Sequence, residues 1–195
     1  MKKSKTHIKV VESAKTLFWK FGIKKVTVED ICEEAGISKM TFYRNFSNKQ
    51  ELAKIVIQNL IEEGLSSYNT IMNQDISFAE KMGKMVHLKH EQSQNISEEF
   101  IKDIYKTDES DLRDYLEDHK EKSLKRFYND LQEAQQTGEI RKDIKIGFIM
   151  QMLDFFNQKM MDEAFLSQYE NVHDAVMEIT NFFMYGLFPP DDKAK

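Results

Sequence analysis

The chain has 195 residues, 41% hydrophobic and 31% charged, with a net charge of −5. That is enough chain for one or two small domains with a real core, and the composition excludes a disordered polymer. The single cysteine, Cys32, excludes an internal disulfide and a thiolate metal cluster, and its expected use is as a small buried hydrophobe.

Seven glycines and two prolines, the latter adjacent at 189–190, leave little to break the chain into strands. The expected fold class is all-α. The first fifteen residues, MKKSKTHIKVVESAK, carry cations but no apolar run, so a signal peptide is not expected. No apolar stretch approaches the ~20 residues of a membrane helix, which points to a cytoplasmic protein with no membrane contact. Charge is unevenly placed. Residues 1–50 hold eleven cations against five acids, while the remainder is acidic. A basic N-terminal segment on an acidic body suits a polyanion at one end.

In chain order, apolar steps of three and four at Ile8, Val11, Ala14, Phe18 and Phe21 predict a helix over 6–21, capped by Thr6 and stopped by Gly22. Thr27 and Asp30 form a T-x-x-D start, with Val28, Ile31 and Ala35 as the buried face. Gly36 ends that helix and Ser38 caps the next, the spacing of a helix-turn-helix. Asn48 and Glu51 open a long helix reaching about Asn73, with Leu52, Ile55, Val56, Leu60, Tyr68 and Ile71 inward. Further helices are expected near 77–94, 97–106, 110–136, 144–166 and 172–188. Gly138 marks a turn, QTGEIRKD, and PPDDKAK is expected to be a disordered tail.

The stretch 36–46, GISKMTFYRNF, joins three aromatic rings to two cations. At ~100° per residue, Phe42 and Phe46 share one face, while Met40 and Arg44 share the opposite one, flanked by Thr41 and Tyr43. The two phenylalanines are expected to anchor the helix and Lys39, Met40, Thr41, Tyr43 and Arg44 to face out. Such a face suits double-stranded DNA. Arginine donates twice to guanine, methionine or threonine touches the thymine methyl, and tyrosine and lysine bond phosphate. Helix starts at Thr27 and Ser38 offer free amides to phosphate. A charged helix-turn-helix face also occurs in all-α proteins that bind no DNA.

The segment VTVEDICEEAGISKMTFYRNFSNKQEL, preceded by Ala14, Leu17, Phe18 and Gly22, resembles the N-terminal signature of the tetracycline-repressor (TetR) family of bacterial transcription regulators. The likeness covers about residues 6–55. It implies phosphate contacts from Tyr43 and Lys49, help from Thr27, and Ser38, Lys39, Met40, Thr41 and Arg44 in the major groove. Lys2, Lys3 and Lys5 would form a basic arm. Met40 departs from the small residue usual at its position, so a known operator sequence does not transfer. The expected division is a three-helix DNA-binding domain, 1–47, followed by a helical-bundle domain, 48–195, for effector binding and dimerisation.

The segments 148–166 and 176–188 are the most apolar of the body. Phe148, Met152, Phe155, Phe156 and Met160 cluster on one wheel, and Val176, Ile179, Phe183 and Leu187 on another. The helices near 144–166 and 172–188 are expected to pair with their mates in a homodimer, a use that competes with a monomer core. Aromatics and methionines in the body suit a small apolar effector between the long fourth helix and the helices at 110–136 and 144–166. No cofactor is expected beyond that unidentified effector. His87, His90 and Glu91 have a spacing that can bind metal but sit in a polar stretch, so no metal site is expected. No phosphate loop, nucleophile elbow or H-E-x-x-H occurs, which argues against an enzyme. The function expected is a ligand-responsive, sequence-specific DNA-binding regulator, a repressor acting as a homodimer on a near-palindromic operator. The alternative is a helical protein-interaction module.

Overall fold

A computed structural model describes residues 4–105, 107 and 110–188. Lys2, Lys3 and the expected tail after 188 lie outside the described residues. The described chain is helical from end to end: α1 (Lys5–Phe21), α2 (Val28–Ala35), α3 (Lys39–Asn45), α4 (Lys49–Met72), α5 (Phe78–Ser93), α6 (Glu98–Tyr105), α7 (Ser110–Thr137), α8 (Ile146–Lys159), α9 (Glu163–Leu166) and α10 (Val172–Tyr185).

Most starts follow from caps written in the sequence. Thr27 and Asp30 satisfy each other's backbone N–H groups, a complete capping box for α2. Asn48 accepts from the Glu51 amide at 2.8 Å, and Glu51 in turn accepts from Ser47 at 2.6 Å. Ser77 and Glu80 repeat the capping box at α5. Two expectations shift. The cap of α1 is Ser4, not Thr6, with its hydroxyl accepting from the His7 amide at 3.1 Å. The helix expected over 144–166 breaks at 160–162, because Asp162 caps a new start at α9 and holds Lys159 at 2.5 Å.

The chain divides into two compact units. The first comprises residues up to Gly64 together with Asn95–Arg113. The second comprises Leu65–Gln94 and the chain from Asp114 on. The boundary expected at 47/48 therefore does not coincide with the division between units. The reason is packing. Leu52, Ala53 and Val56 of α4 bury into the same core as Val10, Ala14, Phe18, Ile31, Ala35, Phe42 and Phe46, and Phe100 of α6 joins them. Two members of the stripe expected on α1, Ile8 and Phe21, are instead exposed, and Val10 takes the inward place.

In the second unit, α5 packs along α10. Its core joins Met72, Phe78, Met82, Leu131, Ala134, Ile140, Ile149, Phe183 and Leu187. Gly138, at φ +82°, ends α7, and the Gln135 amide donates to the carbonyls of Arg141 (3.1 Å) and Ile144 (2.9 Å), closing the turn over buried Ile140.

Candidate nucleic-acid interface

The first unit is built to hold one short helix by its inner face. Gly36 takes φ +60°, ψ 43°, the left-handed conformation that lets the chain reverse between α2 and α3. Its amide donates to Glu33 at 3.0 Å, and the Ile37 amide donates to Cys32 at 2.9 Å. Ser38 then caps α3, accepting from the Thr41 amide at 3.2 Å, while the two hydroxyls sit 3.0 Å apart. Phe42 is 0% exposed, and the Phe46 ring lies 5.6 Å from it and 4.7 Å from the His7 ring. α3 has only seven residues, too few to be helical alone. These rings, each contributing about 1.5–3 kcal/mol by burial, hold it in place.

The outer face is as the wheel places it except at Thr41. Met40 is 72% exposed and Tyr43 56%, and Arg44 is exposed beside them. Thr41 is half-buried, its hydroxyl engaged with Ser38. Lys39 forms an ion pair with Glu29 at the start of α2. That pair holds the Glu29 carboxyl below, and the Lys39 ammonium above, their ordinary values. To bond a phosphate, Lys39 must exchange this partner.

Thr27 and Lys49 sit differently from the outer set. The Thr27 hydroxyl is committed to Asp30 at 2.7 Å, and these bonds hold Asp30 low. The Lys49 ammonium donates to three carbonyls of the α1–α2 loop, Ile23 (2.8 Å), Lys24 (3.2 Å) and Val26 (2.7 Å). Desolvation there lowers its pKa. In this geometry Lys49 ties α4 to the loop, and its ammonium is taken up by these carbonyls. Burial raises the pKa of the Cys32 thiol, as suits a packing residue.

Sequence reasoning missed what secures that loop from the far side. The Ser97 amide donates to the Trp19 carbonyl at 2.9 Å. The Lys24 amide donates to Asp103 at 2.9 Å, and Lys25 pairs with Glu99 at 2.6 Å. Trp19 and Phe100 place their rings 5.2 Å apart. α6 thus holds the loop between α1 and α2 by backbone, charge and ring contacts. The one available signal was the acidic run EEFIKD at 98–103, whose basic partners lie over seventy residues away and share no local period with it.

The metal and dimer expectations concern the second unit. His87 approaches Glu91 at 3.4 Å, both exposed, while His90 turns to the His173 ring at 4.8 Å. Phe183 and Leu187 belong to that unit's own core, whereas Phe148, Phe155, Phe182 and Tyr185 are exposed. Among the described residues, no helix is long and apolar enough to cross a membrane.

A tight two-helix turn presenting an exposed, cationic third-helix face defines a helix-turn-helix unit of the DNA-binding class. Residues 10–56 match the model of bacterial regulatory proteins of the tetR family. The chain is 21% identical over 198 residues to the uncharacterized HTH-type transcriptional regulator YfiR of Bacillus subtilis, covering 98% of this chain and 96% of that protein. The fold is shared with a regulator from Saccharomonospora viridis crystallised with choline (TM-score 0.75, 15% identity, 96% of this chain and 100% of that one). It is shared also with FadR of Bacillus subtilis in complex with stearoyl-CoA (TM-score 0.64, 14% identity, 93% and 99%). The N-terminal segment is thus similar to the helix-turn-helix of tetR-family transcriptional regulators, and the rest of the chain shares their fold.

Proposed function

We propose that the protein is a ligand-released repressor that acts in the cytoplasm as a homodimer on a near-palindromic operator. The observation that carries the DNA contact is the exposed set Met40, Tyr43 and Arg44 on a helix locked from beneath by Phe42 and Phe46. Arg44 donates to a guanine edge, Met40 and Thr41 approach the neighbouring bases, and Tyr43 and Lys39 bond the backbone. Thr27 and Ser38 set the helix starts facing it, and Lys49 fixes the loop behind them.

The dimer reading is supported by two exposed aromatic helices side by side. Phe156 on α8 contacts Phe182 on α10 at 5.8 Å, and Phe155, Phe182 and Tyr185 remain exposed around that contact. A second copy offering the same face would cover them, with α8 and α10 forming a four-helix interface. Two copies place their α3 helices in successive major grooves about 34–36 Å apart. Bound at a promoter, such a dimer excludes competing proteins. An effector held by the body weakens DNA binding to the extent that it prefers the geometry that fits DNA poorly. Similar folds are crystallised with ligands as different as choline and stearoyl-CoA, so the effector class comes from this chain's own residues.

Arg44→Ala tests the reading. On a duplex selected by the wild-type protein it should cost about 1–3 kcal/mol and relax base preference at one position per half-site. Competition binding against single-base variants of that duplex measures both. Unchanged affinity with unchanged preference would place the recognition face elsewhere.

A further inference from the structure

Two histidines far apart in sequence meet where α5 packs on α10. His90 stands in the last turn of α5 and His173 in the first turn of α10. Their ring centres lie 4.8 Å apart, with the planes inclined at 69°. His90 is exposed and His173 half-buried. The pair therefore sits at the rim of the packed face, open to solvent on the His90 side.

The surrounding hydrogen bonds decide where each ring carries its proton. The Ser93 hydroxyl has one proton and donates it to the Lys89 carbonyl at 2.7 Å. The His173 Nδ1 lies 2.7 Å from the same hydroxyl oxygen, so it must carry the hydrogen and donate it. Neutral His173 thus keeps its lone pair on Nε2. On the other ring, the Gln94 side-chain nitrogen lies 3.3 Å from the His90 Nε2. An amide nitrogen donates and does not accept, so this Nε2 also carries a lone pair. Both imidazoles are held in the tautomer that leaves Nε2 bare.

A bare imidazole nitrogen is a ligand for zinc, nickel and copper ions. With each nitrogen about 2.0–2.1 Å from a tetrahedral ion, two imidazoles place their ring centres about 5 Å apart. The observed 4.8 Å matches that separation. Ligating histidines also hand their other ring N–H to a fixed acceptor, which orients the ring. Ser93 plays that part for His173, and at 5% exposed it is a buried support, not a chance surface contact.

We infer that His90 and His173 form a site for a divalent transition-metal ion, bound through both Nε2 atoms with water at the remaining positions. The ion displaces the Gln94 amide from His90 and pins the end of α5 to the start of α10. Its nitrogen donors select ions of the zinc and nickel kind over magnesium and calcium, which take oxygen ligands. With two protein ligands the site binds less tightly than a closed four-ligand one. It differs from the set His87, His90 and Glu91 weighed on sequence spacing, because the second ligand comes from α10 while His87 and Glu91 face each other at 3.4 Å. Its existence does not depend on an apolar effector.

The test titrates zinc into the full, untagged chain against a weak chromogenic zinc chelator, with magnesium present in excess. The wild type should take up one zinc ion per chain. His90→Ala and His173→Ala should each weaken uptake roughly tenfold or more, and His87→Ala should leave it within about twofold. His90 is exposed, so His90→Ala should keep the wild-type far-ultraviolet circular dichroism and decide the matter even if His173→Ala unfolds. A folded wild type that takes up no zinc would overturn the proposal. So would uptake that survives His90→Ala, or that His87→Ala reduces as much as His90→Ala does, which would place the ion on the His87–Glu91 pair.

Discussion

Phe42→Ala should abolish specific DNA binding and destabilise the first unit by about 3–5 kcal/mol, the range for truncating a fully buried aromatic. Phe42 is 0% exposed, and it belongs to the same buried cluster as Ile31 and Ala35 of α2 and Leu52 of α4. α3 is seven residues long, so without that ring its helical state has little else to hold it. The neighbouring Tyr43→Ala gives the contrast. Tyr43 is 56% exposed, so its loss should change stability by no more than about 0.5 kcal/mol and act on DNA affinity alone. Urea unfolding followed by far-ultraviolet circular dichroism, beside duplex binding, separates the two. A Phe42→Ala protein as stable as the wild type would mean that α3 is held by contacts other than the ring.

Gly22→Val should be the most damaging change outside the core, costing about 2–5 kcal/mol through backbone strain and overpacking together. Gly22 takes φ +84°, and a Cβ built on it would lie 2.7 Å from the Glu99 Cβ and 3.3 Å from the Glu99 carbonyl carbon. Relief requires α6 to move off the α1–α2 loop, which would break the Lys25–Glu99 pair and the Lys24–Asp103 bond. Gly64→Ala is the control. It sits within α4 with nothing within 4 Å of the new methyl, and should stabilise by about 0.5–1 kcal/mol through helix propensity. Thermal unfolding of the two variants measures the difference. Equal melting temperatures would show that the close approach of α6 to the loop is not a constraint in solution.

The loop that α6 grips is also the loop that Lys49 gathers by three carbonyls. The segment leading into α2 is thus fixed from two directions. The 95–113 segment thus belongs to the same compact unit as the helix-turn-helix although it follows it by some fifty residues.

Local signals made the DNA-contacting half legible. The Thr27–Asp30 box, the Gly36 reversal, the Ser38 cap and the inward pair Phe42 and Phe46 each depend on residues within four or five positions, which a sequence displays directly. The outward placing of Met40, Tyr43 and Arg44 followed from the same wheel. Partners distant in sequence were not legible. Nothing near Lys49 announces three loop carbonyls as its acceptors, and nothing near Lys39 announces Glu29. Local competition misled twice. Ser4 and Thr6 are both good caps, and the one that gave the longer helix won. Asp162 interrupted an apolar run whose composition alone favoured continuity. For α10 the two competing uses of Phe183 and Leu187, dimer interface and monomer core, were not separable in the sequence. Phe183 and Leu187 turn into the core while Phe182 and Tyr185 stay out, a choice that an almost uniformly apolar helix leaves undecided by periodicity.

The most direct test of the account is selection from random duplexes by the purified protein at near-physiological salt, followed by sequencing of what is retained and a salt titration of the winner. The account predicts an enriched near-palindrome with half-sites one helical turn apart, bound with an affinity that falls steeply as salt rises. Retention without any enriched sequence, or an affinity indifferent to salt, would contradict it.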